Sequence, residues 1–152
     1  MKYMSARELG LTEREKDALV VTRQYLMGRG PFAIEHEPDP LFPAKPHGFN
    51  IGPYKVRHGT GLCACVSGWA NELTGEFSLR RMAQFDRWNL PPVATLFSAN
   101  RADGRVARLD LVTPAMAAEA IQGVLAQNQY VDWIALTARD VTPKRVRPLV
   151  HP

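Results

Sequence analysis

Asp110 lies in the run Val106-Ala107-Arg108-Leu109-Asp110-Leu111-Val112, which reads as a β-strand, and Thr113-Pro114 then opens an alanine-rich helix. A carboxylate in an apolar strand costs several kcal/mol to bury unless it is paired or hydrogen-bonded. Alternation with a period of two puts Val106, Arg108, Asp110 and Val112 on one face of that strand, and Ala107, Leu109 and Leu111 on the other. Asp110 is therefore either half of an exposed pair with Arg108 or part of a site. His36 is set between Glu35 and Glu37, and His47 follows in the same proline-rich stretch. Flanking carboxylates favour the imidazolium form, as on an ordinary surface histidine. Cys63 and Cys65, two apart on a strand, point the same way and lie about 7 Å apart at Cα, too far for easy bridging. They read as reduced structural thiols, because a metal would need further ligands and only His58 is near them in sequence.

These residues belong to a chain of ordinary globular character. Its 152 residues suit one domain spanning 1–152, with 45% hydrophobic and 22% charged content. No apolar stretch approaches the ~18 residues needed to cross a bilayer. The first residues lack the apolar core of a signal peptide, so a cytoplasmic location is expected. The net charge of +4 is unevenly placed. Between Ser78 and Arg108, the arginines at 80, 81, 87, 101, 105 and 108 face only Asp86 and Asp103. Such a run is either a solvated face or a docking patch for an acidic partner.

The positioning elements follow from capping and periodicity. Thr12-Glu13-Arg14-Glu15 is a capping box, and Leu11, Ala18, Leu19, Thr22, Tyr25 and Leu26 then fall on one side of a helix ended by Gly28 and Gly30-Pro31. Ser5 to Glu8 caps a short preceding turn. Residues 29 to 53 hold six of the twelve prolines and little periodicity, a connection usually functional or disordered. Tyr54 to Arg57 and Leu62 to Val66 read as a hairpin turning at His58-Gly59-Thr60-Gly61. A helix through 62 to 73 also matches the spacing, but Gly68 argues against it. Ser78 caps a helix to about Asn89, with Phe77 placed to staple Met82. A second hairpin pairs Val93–Ser98 with Arg105–Val112 around Asp103-Gly104. A helix from Thr113-Pro114 to Gln127 and a strand from Tyr130 to Leu136 complete the order. The expectation is an α+β domain with a mainly antiparallel central sheet flanked by helices.

Several of these segments, taken together, resemble the toxin-activating lysine acyltransferases, small cytoplasmic enzymes that place fatty acyl chains on lysines of RTX protoxins. The family shows two apolar strands, the second ending in Ser-Trp-Ala before a helix. Here Tyr54-Lys55-Val56, then Leu62 to Val66, then Ser67-Gly68-Trp69-Ala70-Asn71 are similar, with one glycine inserted. The family's later strand carries an aspartate four residues ahead of a proline, and Asp110 and Pro114 match that spacing. His36 with Leu41-Phe42 fits the place of the family's catalytic histidine, and Arg139 to His151 looks like its basic final segment.

The resemblance implies a GNAT-like fold and an acyl transfer from acyl carrier protein to a lysine of a protoxin-like protein, with no bound cofactor. It casts His36 as general base, or transient acyl carrier, and Asp110 as its orienter, with His47 and His58 as other candidates for the histidine role. Trp69 and Asn71 become substrate-binding residues. Arg80, Arg81, Arg87, Arg101 and Arg105 become a docking patch for the acidic carrier protein. No Gly-rich pyrophosphate loop stands in the sequence, in agreement with a carrier-protein donor. Family members are often dimers.

A winged helix is the competing reading. Leu73 to Arg81 then turns into a recognition helix, and Asn100 to Arg105 tips a wing that carries arginines to phosphates. The proline-rich stretch between the first two helices breaks the usual spacing of such domains.

Overall fold

The computed structural model describes residues 2–29, 35–36, 48–49, 54–58, 61–85, 91–97 and 112–139. Six α-helices and four short strands are described: α1 Ala6–Leu9, α2 Glu13–Gln24, β1 Glu35–His36, β2 Gly48–Phe49, β3 Lys55–His58, β4 Gly61–Ala64, α3 Val66–Thr74, α4 Leu79–Gln84, α5 Pro114–Gln127 and α6 Trp133–Arg139. A π-helical turn, Tyr25–Arg29, extends α2, and a 3-10 helix occupies Pro92–Phe97.

Local signals account for the first helices. Ser5 and Glu8 form one capping box and Thr12 and Glu15 another, each satisfying two amides that a helix start leaves open. Inside the π-helical turn Gly28 leaves the helical backbone conformation, at φ 79°. Thr113 caps α5 through the Met116 amide, and Pro114 occupies the first turn, where a missing N–H costs nothing.

The expected architecture, a mainly antiparallel sheet flanked by helices in a GNAT-like arrangement, is not what the chain adopts. The body is helical: α2 packs against both α3 and α5. Leu19, Val66, Ile121, Val124, Leu125 and Trp133 are among the fully buried side chains of the single core. The sheet has the order β1-β2-β4-β3, with strands of two to four residues. Two of its three pairings, β1 with β2 and β2 with β4, are parallel. Only β3 and β4 run antiparallel, with Val56 opposite Cys63 and His58 opposite Gly61.

That last pair is the expected hairpin, but its second strand stops at Ala64 and Val66 already begins α3. Gly68, read as a helix breaker, lies inside α3 for a different reason. A Cβ built on it would stand 1.7 Å from the Tyr54 carbonyl oxygen, so helix and strand entry touch backbone to backbone. Only glycine permits that approach.

Two expected strands are helices. The alternation predicts a strand over Val93–Ser98; residues 92–97 instead wind as a 3-10 helix behind Pro91-Pro92, with the Thr95 hydroxyl donating to the Pro92 carbonyl at 2.6 Å. Proline fixes φ near the helical value, and Val93, Ala94 and Leu96 bury together from that turn. The sequence predicts a strand over Tyr130–Leu136 as well. Asp132 accepts the Ala135 amide at 3.0 Å and starts α6 instead, burying Trp133 and Thr137 four apart. The Trp133 indole N–H donates to the Thr95 carbonyl at 2.7 Å, tying α6 to the 3-10 helix. The expected helix from Ser78 is described only over Leu79–Gln84. The Arg105–Leu111 stretch and the tail after Pro143 lie outside the described residues.

Candidate functional site

The start of α3 brings a cysteine and a serine together with Tyr54 and Lys55 of the hairpin. Strand β4 delivers Cys65 to the position before α3, where it is 4% exposed. Its sulfur lies 3.2 Å from the Ser67 hydroxyl and 3.9 Å from the Tyr54 carbonyl. Burial pushes the Cys65 thiol up, and the Ser67 hydroxyl and the first-turn amides only partly oppose that. A thiol held this way stays protonated and weakly nucleophilic near neutral pH. Cys65 is a free cysteine.

Around this point the hairpin and α3 are stitched together. The Tyr54 hydroxyl donates to the Phe77 carbonyl at 2.6 Å, and the Lys55 ammonium donates to Asn71 at 2.7 Å and Glu72 at 3.3 Å. Burial raises the Tyr54 phenol above its ordinary value, with the neighbouring Cys65 adding to the effect. Phe77 has φ 59°, a left-handed backbone unusual for a bulky residue. Its ring, 1% exposed, packs 5.2 Å from that of Phe97, so burial holds the turn in place.

The residues expected to bind substrate have structural work here. Trp69 is 2% exposed, with its ring 5.1 Å from that of Tyr25 at 48°, inside the core. Asn71 accepts from Lys55 and donates to the Gly75 carbonyl at 3.2 Å and the Glu76 carbonyl at 3.0 Å. It thereby closes the end of α3, where Gly75 takes the left-handed conformation at φ 84°.

The arginine patch divides. Arg81, expected to dock a partner, is spent within the fold. Its guanidinium bonds both oxygens of the buried Glu15 at 2.7 and 3.2 Å, the Gly10 carbonyl at 3.3 Å and Gln84 at 3.0 Å, and lies 4.4 Å from the Phe85 ring centroid. Arg80 is exposed. Arg87, Arg101 and Arg105 lie outside the described residues, as do Asp110 and His47. For His36 the described feature is its backbone, in β1 and in register with Phe49, which is in register with Ala64 of the hairpin. His58 ends β3.

Reading the sequence for chemistry missed Tyr54, Lys55, Cys65 and Ser67 as one cluster. The available signal was Gly68, a glycine inside a helix-spaced pattern, which marks close backbone approach as readily as a break. Among the described residues no three His, Cys, Asp or Glu side chains assemble for a metal ion, and no helix is long and apolar enough to cross a membrane. No family model, no curated protein and no solved structure matches the chain.

Proposed function

We propose that this chain transfers an acyl group from an acidic carrier protein to an amine, a lysine side chain of a protein in the first instance. The observation that supports it is the antiparallel hairpin Lys55–Ala64 running directly into the Ser67–Asn71 helix start, in one sheet with the strand that carries His36. That is the segment order on which the likeness to lysine acyltransferases rests.

In the proposed reaction His36 takes a proton from the acceptor ammonium, and Asp110 holds the imidazole in the correct tautomer and stabilises its charged form. The freed amine adds to the thioester carbonyl. As the tetrahedral intermediate collapses, the C–N bond stays and the C–S bond breaks; the added nitrogen releases its second proton to water, and the carrier thiolate takes the proton held by the imidazolium, so that one proton is released overall. The products are an amide and a free thiol, with no redox change. The reaction needs no metal or bound cofactor.

The test is to incubate the full chain with a long-chain acyl carrier protein and a lysine-rich acceptor peptide, following both masses. Transfer that falls by about a hundredfold or more in Asp110→Asn and in His36→Ala supports the reading. Absence of transfer in the unaltered chain, or full transfer in both variants, overturns it.

A second reading, duplex DNA binding, draws on one observation: α3 and α4 are joined by a four-residue connection with Gly75 in it, as in a helix-turn-helix. The expected first strand of the wing is the 3-10 helix Pro92–Phe97, so the pair stands without that support. Binding of duplex DNA at near-physiological salt, with no acyl transfer, decides for it.

A further inference from the structure

We propose that the outward face of α4, centred on Leu79 and Arg80, docks an acidic protein surface bearing an apolar recess. The identity of that partner as the acyl carrier rests on the acyl-transfer reading; the surface itself rests on α4.

The inward half of this short helix is fully engaged. Ser78 caps it by accepting the Arg81 amide, Arg81 is tied to Glu15, Gly10 and Gln84, and Phe85 packs 5.4 Å from Phe97. The outward half is different. Leu79 is 65% exposed, Arg80, Ala83 and Gln84 are exposed, and Arg80 makes no hydrogen bond or ion pair with a described residue. A leucine and a free guanidinium thus sit side by side on an element that the Glu15–Arg81 pair holds rigid. Such preorganisation lowers the entropic cost of association.

Charge selects the occupant. The chain carries +4 overall, so a carboxylate-rich partner is drawn toward it from a distance. Nucleic acid fits this face less well. Its affinity grows with each phosphate neutralised, and among the outward residues of α4 Arg80 is the single cation, beside an apolar side chain that phosphate does not reward. An acidic protein uses both, pairing a carboxylate with Arg80 and desolvating Leu79 in its recess.

The measurement is binding of holo-acyl carrier protein to the full chain at low and high salt, alongside acyl transfer and duplex DNA binding. Arg80→Glu should slow association and weaken affinity roughly tenfold at low salt, with the difference shrinking at high salt. Leu79→Ser should weaken affinity at both salts. Lys2→Glu, a reversal off α4, should change affinity by less than about twofold. Circular dichroism confirms that each variant keeps its helices. Unchanged carrier binding in both α4 variants, an equal loss in Lys2→Glu, absence of carrier binding, or a loss confined to DNA binding overturns the proposal. Carrier binding with these variant effects but no acyl transfer sinks the acyl-transfer reading and leaves the surface standing. Acyl transfer with α4 variants at full strength does the reverse.

Discussion

Glu15 and Arg81, sixty-six residues apart in sequence, meet through a 2.7 Å bond from Nε to Oε2 and a 3.2 Å bond from Nη2 to Oε1. The same Glu15 carboxylate accepts the Thr12 amide at 3.0 Å, so one side chain both caps α2 and anchors α4. Glu15 is 4% exposed, and a carboxylate there survives only because each oxygen has a donor.

Removing one partner of such a pair leaves the other buried and uncompensated. Glu15→Ala should destabilise the fold by about 3 kcal/mol, seen as a lower urea midpoint at unchanged slope. Arg81→Lys keeps the charge but loses the planar fork, and should fall between the unaltered chain and Glu15→Ala. A near-neutral Glu15→Ala would show that water replaces Arg81 at this position. The consequence for partner studies is direct: reversing Arg81 damages the fold, whereas Arg80 reports on docking alone.

Gly68→Ala sets two effects against each other. Alanine is the better helix former by about 1 kcal/mol. Its Cβ, however, would stand 1.7 Å from a backbone oxygen that no rotamer change can move. Overpacking against backbone costs on the order of 3 kcal/mol, so the clash wins and the melting temperature should drop. A stabilised Gly68→Ala protein would mean that α3 and Tyr54 are not in this contact.

Much of the fold was legible where the signal is local. The Ser5 and Thr12 capping boxes, the Thr113-Pro114 start and the Gly59/Gly61 hairpin each depend on residues within a few positions of one another. What was not legible is of two kinds. Val93–Ser98 and Tyr130–Leu136 are short apolar runs, in which periodicity separates strand from helix poorly. There Pro91-Pro92 and the Asp132 cap, both plainly present, outweigh β propensity. What the sequence leaves open at the site is non-local. A tally of arginines cannot distinguish Arg81, paired across the chain, from Arg80 beside it, and nothing around Trp69 in sequence reveals that Tyr25 covers it. Asp110, the residue most suggestive of chemistry, lies outside the described residues together with His47 and three of the five docking arginines.

Alkaline pH should weaken this protein. Burial pushes the Cys65 thiol and the Tyr54 and Tyr25 phenols up, with the Glu72 charge adding at Tyr25. All three groups lose their protons more readily in the unfolded chain, near ~8.5 for cysteine and ~10 for tyrosine. Below about pH 8 both states are protonated and the stabilisation is complete; above it the unfolded state sheds protons first, and stability falls as pH rises. Urea midpoints should therefore decline from about pH 8.5 upward, and Cys65→Ala should remove the earliest part of that decline. A midpoint that is flat across this range would mean these groups are solvated in the folded state.

Asn71 separates a binding role from a structural one. Its oxygen accepts from Lys55, and its nitrogen donates to the carbonyls of Gly75 and Glu76. Asn71→Ala removes all three bonds and leaves the part-buried Glu76 carbonyl without its donor, at a cost of about 2 kcal/mol. Asn71→Asp keeps the acceptor for Lys55 but turns a negative oxygen toward those two carbonyls, so it should destabilise as well rather than rescue. Asn71→His, bulkier and with a single donor in place, should do no better than alanine. A substrate-binding residue behaves otherwise: its replacement leaves the urea midpoint alone and raises KM for acyl transfer. The structural role therefore predicts a shifted midpoint for all three variants, with KM unchanged at a temperature where each remains folded. The opposite pattern, normal stability with a raised KM, would return Asn71 to the substrate.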